Sequence, residues 1–540
     1  MVEMGDKLTL IIPEMVLFGG AVIVAILGLS HARTLRSAVP WATIAFLIAA
    51  VICTLVIPND DAANKSMILP NLGIYVKTLV GLVGIGLVML GIGSVDRAYE
   101  DAVKNGRTGF DPIRVIRGEY HAFLLLSITG TMIICNTSDL AWMFLALELS
   151  SLPTYVMCAI GRGTRRNNEA AVKYFFIGAM SSAMFLYGFA LLYGASGTTS
   201  LMGMSQVFAE QAAGPGIPIF GILGMVLALV GICFKITAVP MHFYAPDVYQ
   251  GAPTPVTAFL AFMPKVAGFV AIILLCATFG WQGHAFIDEA GIRVPIEGLP
   301  RPVHATLWII AVLTMILGNV GALLQTSVKR LLAYSSIAHS GYMLVGVIAG
   351  TAEGLDAVLF YLVTYAVATV AIFGVLTGLQ RHGQEIETLD DLAGIWQRHK
   401  LMAAVLALSG LSMVGLPPLI GFWGKFDIVI AGIAAGEIPL IVVLMITSAI
   451  SSYYYLHLAG VPLTRKPDAR SEGVVNGPRA WPRITAVVCG IGILLAPIAT
   501  SPLMKAAGTS VESSWLGTQA TAANTTSQEQ PLENASKTGS

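Results

Sequence analysis

Long apolar stretches, separated by short polar connections, follow one another along nearly the whole chain. About 20 residues of helix span the hydrocarbon core of a membrane, and fourteen stretches approach or exceed that length. Their apolar residues run continuously, whereas the strands of a membrane barrel alternate with period two. The pattern therefore predicts an all-α polytopic membrane protein with about 14 transmembrane helices. Numbered 1 to 14 in chain order, the predicted helices are 9–30, 38–57, 73–95, 120–136, 139–160, 171–194, 216–238, 255–279, 304–326, 329–349, 355–380, 401–433, 437–462 and 483–506.

The composition of the chain strengthens this prediction. Hydrophobic residues make up 56% and charged residues 11% of the 540 positions, which excludes an ordinary soluble domain. The six cysteines show no C-x-x-C pair and no metal-like spacing, and the sequence carries no dinucleotide-binding or ATP-binding glycine motif. We therefore expect a lipid bilayer around the chain, with no redox cofactor, metal ion or nucleic acid bound to it.

Lysine and arginine accumulate in the connections that follow odd-numbered predicted helices, such as HARTLRS and GRGTRRNN. Basic residues concentrate in cytoplasmic loops, so these connections are predicted to be cytoplasmic and both termini to lie on the other side. Helices 1 to 3 and the next loop form an N-terminal segment, 1–119. A loop and helix 14 occupy 463–506. The polar, low-complexity tail, 507–540, is expected to be disordered.

When charged residues near helix ends, such as Lys77, are set aside, six candidates inside the predicted helices are selected, each on a different helix: Glu148, Lys173, Lys235, Lys265, His339 and Lys425. A charge at the centre of a membrane costs about 2.5 to 3.5 kcal/mol on insertion scales, so such residues usually serve a function. Their spread over six helices favours a row of proton sites over one compact ligand pocket. Lysine suits this chemistry, because burial disfavours its charged form and lets it release a proton. Glu148 and Lys173, on adjacent helices, are predicted to form an ion pair.

One lysine lies close to a proline that should interrupt its helix. Pro240 has no N–H and leaves the carbonyl of Ile236 without its helical partner, so predicted helix 7 should break beside Lys235. Within a membrane, unpaired backbone survives only where protein buries it or water reaches it. The break therefore predicts a path for protons to Lys235.

Predicted helix 12 repeats this arrangement, because Pro417 and Pro418 precede Lys425 in LPPLIGFWGKF. Interrupted helices at corresponding places are typical of internal repeats in transporters. A separation of five helices predicts two inverted five-helix repeats, helices 4 to 8 in 120–279 and helices 9 to 13 in 280–462. The lysine precedes the proline in helix 7 and follows it in helix 12, so the two lysines do not occupy equivalent positions.

Several long motifs resemble one protein family. The run FKITAVPMHFYAPDVYQGAPTPVTAFLAFMPKVAGF, together with Glu148, KRLLAYSSIAHSGYMLVG and GLPPLIGFWGKF, resembles the antiporter-like subunits of respiratory complex I, the proton-pumping NADH:quinone oxidoreductase. The resemblance extends from Leu8 to about Leu503. Within this family the chain is most similar to subunit N, because it has no long lateral helix after its last span and has lysine at position 425. The presence of helices 1 to 3 favours a bacterial source.

This resemblance implies a role for each buried charge. Glu148 with Lys173 would be the coupling ion pair, Lys235 the pumping lysine on the broken helix, and Lys425 the exit-side site. Lys265 and His339 would be the central relays. The chain would then be part of an enzyme, a proton translocase, without carrying out redox chemistry itself.

The resemblance also implies the surroundings of the chain. NADH, FMN, iron–sulfur clusters and quinone would be bound by other subunits, and the neighbours in the membrane would include the antiporter-like subunit M and the small subunit K. The location would be the bacterial inner membrane. Two alternatives stay open at this point. One is a subunit of a multi-subunit sodium/proton antiporter, and the other is a structural or assembly subunit with vestigial charges.

Overall fold

The structure is a computed structural model that describes residues 9–57, 69, 71–92, 105–107, 118–160, 165–280, 285–287, 293–295, 298–381, 384–467, 471–499 and 506–508. Each of the fourteen predicted segments contains a helix. The first eight helices are α1 (Ile12–Leu29), α2 (Arg33–Val56), α3 (Leu72–Gly91), α4 (Gly118–Ile134), α5 (Leu140–Ala159), α6 (Arg165–Ser196), α7 (Leu201–Ala213) and α8 (Ile219–Ile232).

A break in the chain follows α8, and the remaining helices come after it. They are α9 (Ala245–Gly251), α10 (Thr254–Phe279), α11 (Arg301–Leu323), α12 (Val328–Ala349), α13 (Ala352–Gly378), α14 (Lys400–Val414), α15 (Ile420–Ala434), α16 (Ile438–Thr464) and α17 (Trp481–Leu495).

Membrane-spanning helices account for most of the described chain. Eleven described helices are long and apolar enough to cross a membrane, and α4, α8 and α14 are shorter apolar helices. The prediction of an all-α polytopic membrane protein is therefore confirmed. The number of helices that cross the membrane and the division into two inverted repeats stay predictions.

Three helices form the centre of the bundle. Every residue of α10 is buried, and most residues of α12 and α13 are buried as well. Outer helices such as α6 and α16 instead expose large apolar side chains, among them Phe176 and Tyr453. A helix that is apolar all round belongs in the interior, whereas exposed apolar faces suit contact with lipid. Lys265 and His339 therefore lie on the most enclosed helices of the chain.

The first helix break differs in detail from the prediction. Helix α8 ends at Ile232, and the chain follows an irregular path until α9 begins at Ala245. The break thus starts before Pro240, and Lys235 lies inside it rather than beside it. Thr237 within the break has φ of 56°, which is rare for a β-branched residue and often marks a functional segment.

The second break lies where the sequence predicted it. Helix α14 ends at Val414, Gly415 follows with φ of 90°, and α15 begins at Ile420. Glycine adopts this left-handed conformation at helix ends without the steric penalty of a side chain. Pro417 and Pro418 occupy the short break between the two helices.

The structure also contains elements that the apolar pattern did not predict. Helix α7 is short and begins with a cap, because the Ser200 hydroxyl accepts a hydrogen bond from the Gly203 N–H. Strands β1 (Ala285–Ile287) and β2 (Arg293–Pro295) form an antiparallel pair. Strands β3 (Leu379–Arg381), β4 (Gln384–Glu385) and β5 (Val474–Asn476) form a small sheet in the order β4-β3-β5. Most of the predicted disordered tail, from residue 509, lies outside the described residues.

Candidate functional site

Glu148 lies near the middle of α5, where its side chain is partly buried. Its Oε1 atom accepts a hydrogen bond of 2.5 Å from the hydroxyl of Ser182 on α6. Glu148 therefore sits at the depth of Ser182 along α6.

Lys173 occupies a different place from the one predicted for it. Its Nζ atom lies 2.7 Å from Glu169 and 2.7 Å from Asp247, and its side chain is 40% exposed. Ser182 follows Lys173 by nine residues on the same unbroken helix, which corresponds to a rise of about 13 Å. The predicted ion pair between Glu148 and Lys173 is therefore wrong for this structure, because the two side chains lie at different depths.

Lys235 is buried inside the first break and reaches across to α5. Its Nζ atom donates a hydrogen bond of 2.9 Å to the carbonyl of Leu147. The same carbonyl accepts hydrogen bonds from the hydroxyls of Ser150 and Ser151. Because Leu147 directly precedes Glu148, the lysine is bound one residue away from the only acidic residue among the six candidates.

Hydroxyl side chains satisfy the backbone of the first break. The Ile236 carbonyl, which the sequence predicted to be free, accepts a hydrogen bond from Ser340 on α12. The Val239 N–H donates a hydrogen bond of 3.0 Å to the hydroxyl of Thr314 on α11. Buried backbone groups without partners are costly in a membrane, so these hydroxyls make the break possible.

Lys265 lies on α10 at the centre of the bundle. Its Nζ atom donates to the Ser336 carbonyl at 2.5 Å and to the Ser336 hydroxyl at 2.8 Å. The ammonium also lies 4.7 Å from the centre of the Tyr365 ring, whose hydroxyl donates to the Ser336 hydroxyl. Ser340 also donates to the Ser336 carbonyl, which connects Lys265 with the first break.

His339 is buried among tyrosines. Its Nδ1 atom lies 2.6 Å from the Tyr361 hydroxyl and its Nε2 atom 2.6 Å from the Tyr455 hydroxyl. The histidine thus joins α12 to α13 and α16. A small cavity lined by His339, Tyr361 and Tyr365 extends to Ser412 and Gly421, at the edges of the second break.

Lys425 lies on α15, just after the second break. Its Nζ atom donates a hydrogen bond of 2.8 Å to the Val414 carbonyl at the end of α14 and one of 2.9 Å to the Ser448 hydroxyl on α16. The ammonium lies 5.0 Å from the centre of the Tyr342 ring, and that ring packs edge-on against His339. The lysine therefore binds the free carbonyl that its own break creates.

Five of the six predicted side chains follow one another across the bundle from α5 to α15. Serine and tyrosine hydroxyls bind Glu148, Lys265, His339 and Lys425, and such hydroxyls can both donate and accept a proton. Lys173 alone lies apart, with Asp247 and Arg330, at the end of the bundle that we name the basic end. In order from α5 to α15, the row contains Glu148, Lys235, Lys265, His339 and Lys425.

Sequence reasoning missed the connecting side chains and one acidic residue. Ser336 and Ser340 lie in the motif YSSIAHSGY, at one-turn spacing on α12, and this spacing could have indicated a polar stripe facing Lys265. Asp247 directly follows a proline in APDVYQG and binds both Lys173 and Arg330. The sequence alone gives no sign that these three charges meet.

Another buried ion pair lies in the N-terminal helices. Lys77 on α3 approaches the Glu14 carboxylate on α1 to 2.7 Å and donates to the Leu10 carbonyl, which also accepts from Asn136. The pair ties α1 to α3 and α4. Among the described residues, no group of three or more histidine, cysteine or acidic side chains could hold a metal ion.

Comparisons of the sequence identify related proteins. Residues 137–289 and 294–451 match the family described as "NADH:quinone oxidoreductase/Mrp antiporter, TM". The NADH-quinone oxidoreductase subunit N of Methylobacterium nodulans is 34% identical over 508 residues, covering 93% of this chain and 97% of that protein. The subunit N of Paramagnetospirillum magneticum is 38% identical over 391 residues, covering 72% of this chain and 77% of that protein.

Solved structures share the same fold. A chain of respiratory complex I from Thermus thermophilus with bound aureothin superposes with a TM-score of 0.71 at 29% identity, covering 92% of this chain and 99% of that chain. A chain of the Mrp complex from Dietzia superposes with a TM-score of 0.72 at 20% identity, covering 95% and 98%, and shows the fold alone. With both broken helices and their lysines inside the matched regions, the chain belongs to the family of membrane subunits shared by NADH:quinone oxidoreductase and Mrp antiporters.

Proposed function

We propose that this chain is the proton-translocating subunit N of the membrane arm of an NADH:quinone oxidoreductase. The observation that carries the proposal is the row of titratable side chains that runs from the first helix break to the second, where they bind backbone carbonyls and serine and tyrosine hydroxyls. Relatives that cover most of the chain bear the name NADH-quinone oxidoreductase subunit N. The chain then takes part in an enzyme reaction as a proton translocase and carries out no electron transfer.

Each member of the row has a distinct role in this proposal. Lys235 receives and releases the pumped proton, and Glu148, one residue from its carbonyl acceptor, sets how readily it does so. Lys265 and His339 relay the proton through the centre of the bundle. Lys425 releases it on the exit side.

Lys173 acts elsewhere than in a pair with Glu148. It lies with Asp247 and Arg330 at the basic end, where burial is slight and water is near. We assign it to the entry side of the path. The ion pair there would control access of protons from water to the first break.

The redox centres and the neighbouring subunits lie outside this chain. NADH, FMN, iron–sulfur clusters and quinone are bound by other subunits of the complex. Subunits M and K are its neighbours in a bacterial inner membrane. The basic end faces the cytoplasm and both termini face the opposite side, as the distribution of basic residues favours. Residues 120–279 and 280–462 form inverted repeats, each with one broken helix, and the lysine lies inside the first break and just after the second.

The alternative of a sodium/proton antiporter subunit has weaker support. The Mrp structure shares the fold at 20% identity, and a likeness at that level does not extend to the transported ion. A structural subunit with vestigial charges predicts instead that Lys235 and Glu148 can be replaced by alanine without loss of proton uptake.

Purification of the native membrane complex would test the proposal. We expect the chain to copurify with flavin-containing and iron–sulfur subunits, and the complex to take up protons in proteoliposomes when NADH reduces a quinone. Sodium should have no effect on this uptake. Copurification with antiporter subunits alone, with sodium-dependent proton movement and no NADH oxidation, would contradict the proposal.

A further inference from the structure

The segment after α13 contacts the broken helix of the other half of the chain. Glu385, in β4, directs its carboxylate at the first turn of α10. Its Oε1 atom accepts a hydrogen bond of 3.2 Å from the Thr254 N–H, and its Oε2 atom accepts 2.7 Å from the Thr254 hydroxyl. A carboxylate at this place stabilises a helix, because it satisfies N–H groups that have no partner inside the helix.

Lys329, at the start of α12, completes the contact. Its Nζ atom lies 2.6 Å from Glu385 Oε2 and donates 3.0 Å to the carbonyl of Ala252. Ala252 belongs to the short connection between α9 and α10. One ion pair thus holds both sides of this connection; the lysine side chain is 7% exposed and the glutamate side chain 35% exposed.

The segment that carries Glu385 is itself fixed to α12. The Val328 N–H donates 2.9 Å to the Glu387 carbonyl, and Ser327 pairs with Thr388 as a β-bridge. The Asp391 carboxylate accepts hydrogen bonds from the N–H and hydroxyl of Thr388. Because backbone bonds set its position, Glu385 cannot shift far without moving α12 or the start of α10.

The connection that the ion pair holds lies between two members of the proton row. Helix α9 is the second half of the broken helix that carries Lys235, and α10 carries Lys265. On its other side, α9 packs closely on α6, where an added Cβ at Gly251 would lie 2.5 Å from Ala170. The end of α9 is therefore held between α6 and the Glu385 segment.

The charge of Glu385 persists at neutral pH. Burial alone would raise the pKa of this carboxyl, but Lys329 and the hydrogen bonds from Thr254 outweigh that effect and hold its pKa below the usual 4.5. The ion pair is therefore present under the conditions in which the complex works.

We propose that Glu385 and Lys329 form a clasp by which the second half of the chain holds the broken helix of the first half in its proton-conducting position. Both are positioning residues, since neither touches a member of the proton row. The inference rests on the proposed function and adds to it a contact through which a movement near the second break can reach the first. The segment that carries Glu385 continues through residues 386–399 to α14, and α14 ends at the second break.

Four variants of the intact complex test the clasp: Glu385→Gln, Glu385→Asp, Lys329→Met and the double variant Glu385→Gln with Lys329→Met. Asp390→Asn is the matched control, because Asp390 lies five residues away on the same segment and pairs with Arg465 through side chains that are 48% and 50% exposed. Exposed pairs contribute little, so this change should have no effect. The measurements are proton uptake per NADH oxidised in proteoliposomes and amide hydrogen exchange over residues 233–254.

Glu385→Gln leaves the Lys329 ammonium buried without its carboxylate. Breaking a buried pair costs more than removing it, so we expect roughly a twofold or greater loss of proton uptake per NADH and faster exchange in α9. The double variant should take up more protons per NADH than Glu385→Gln and exchange more slowly in α9, because no unpaired charge remains. Glu385→Asp keeps the charge and should retain more uptake than Glu385→Gln.

Three results would overturn the clasp. The first is wild-type uptake per NADH in Glu385→Gln, even if exchange is faster, because the pair would then be structural only. The second is an equal loss in Asp390→Asn, and the third is unchanged exchange in α9 of Glu385→Gln. If Glu385→Gln fails to assemble, proton uptake per NADH is compared between the double variant and Lys329→Met. The double variant should take up more, because it has no unpaired charge, and an uptake equal to or lower than that of Lys329→Met would overturn the clasp. A wild-type complex that takes up no protons would instead contradict the proposed function, while the exchange measurement would still test the contact.

Discussion

The two helix breaks use the same residue types and produce different environments. In the first break, residues 233–239 are buried, and Lys235 lies inside the irregular segment. In the second, Leu416, Pro417 and Pro418 are exposed, and Lys425 lies on the regular helix that follows. A proline near a lysine therefore predicts an interrupted helix, but it does not determine where the lysine sits relative to the interruption.

The hydrogen-bond partners of the two lysines explain why this difference matters. Lys235 donates to a carbonyl of another helix, next to Glu148, so its surroundings change if α5 moves. Lys425 donates to the carbonyl at the end of α14, which its own break leaves free, and to Ser448. We infer that the first site responds to its neighbours, whereas the second is fixed by its own break.

The largest expected effect is the loss of either lysine. Lys235→Ala and Lys425→Ala should each abolish NADH-driven proton uptake, because each interrupts the only row of buried charges seen in the described residues. Lys235→Ala should also slow coupled quinone reduction, and both complexes should still assemble. Uptake in proteoliposomes at matched complex content gives the answer, and normal uptake by either variant would remove that lysine from the path.

Replacements of Glu148 should affect the first site. Glu148→Gln keeps an oxygen for the Ser182 hydroxyl but removes the charge near Lys235, so uptake should fall roughly tenfold or more, as for other proton-transfer groups. Glu148→Asp keeps the charge and should retain much more activity. Equal losses in the two variants would show that packing, rather than charge, explains the effect.

The separation of Glu148 from Lys173 makes a third prediction. Residues that act as one unit lose little more when both are changed, whereas distant residues lose activity independently. The double variant Glu148→Gln with Lys173→Met should therefore show the sum of the two single losses in activation free energy, within about 0.5 kcal/mol. A double variant no worse than its worse parent would show that the two residues pair during turnover.

Smaller effects should distinguish the hydroxyls at the two breaks. Ser340→Ala removes the α12 donor of the buried Ile236 carbonyl, which keeps only the Thr237 hydroxyl, and this should weaken the local stability of the first break by about 0.5–1.5 kcal/mol. Ser448→Ala leaves Lys425 with the Val414 carbonyl and should have a smaller effect on the second break. Native-state amide exchange over residues 233–244 and 414–420 compares them. A larger loss of local stability at the second break in Ser448→Ala than at the first in Ser340→Ala would contradict the inference that the first site depends more on its neighbours.

The smallest effect concerns acid, which should loosen the first break before the second. The pKa of Glu385 is lowered in the folded chain, so its contribution to stability is present above the usual value of 4.5 and is lost as pH falls through the lower folded value. Exchange in α9, corrected for its intrinsic pH dependence, should be unchanged from neutral pH to about pH 5 and rise below 4.5. In Glu385→Gln this rise should be smaller, and the part that remains should come from Asp247 on α9, where burial would raise the pKa of the carboxyl but the pairs with Lys173 and Arg330 outweigh it and lower the pKa.

Much of the fold could be predicted because apolar length acts locally along the chain. Continuous apolar runs indicated the helices, and Pro417 with Pro418 indicated the second break correctly. The first break begins earlier than Pro240 predicts, because Ser340 and Thr314, far away in sequence, satisfy the backbone around Lys235. Helix α7 was not predicted, because it is too short to resemble a membrane span.

The presence of charges within the bundle was predictable, but their contacts were not, and their roles stay predictions. A charge inside an apolar run is visible in the sequence, which is why Lys235, Lys265 and Lys425 could be found. The partner of such a charge depends on the depths at which two helices meet, which the sequence does not show. For this reason the sequence analysis predicted Glu148 as the partner of Lys173, whereas the structure has Asp247 there. The ion pair between Glu385 and Lys329 joins segments 56 residues apart, and neither residue stands out from the polar loops around it.

The measurement that tests the central claim most directly is the proton uptake per NADH oxidised by the Lys235→Arg complex. Arginine keeps the positive charge and the length needed to reach the Leu147 carbonyl, but its pKa above about 12 prevents it from releasing a proton. If Lys235 carries protons, uptake per NADH should fall as far as in Lys235→Ala while the complex assembles normally. Uptake equal to that of the wild type would show that position 235 needs only a charge, and it would contradict proton transfer through Lys235.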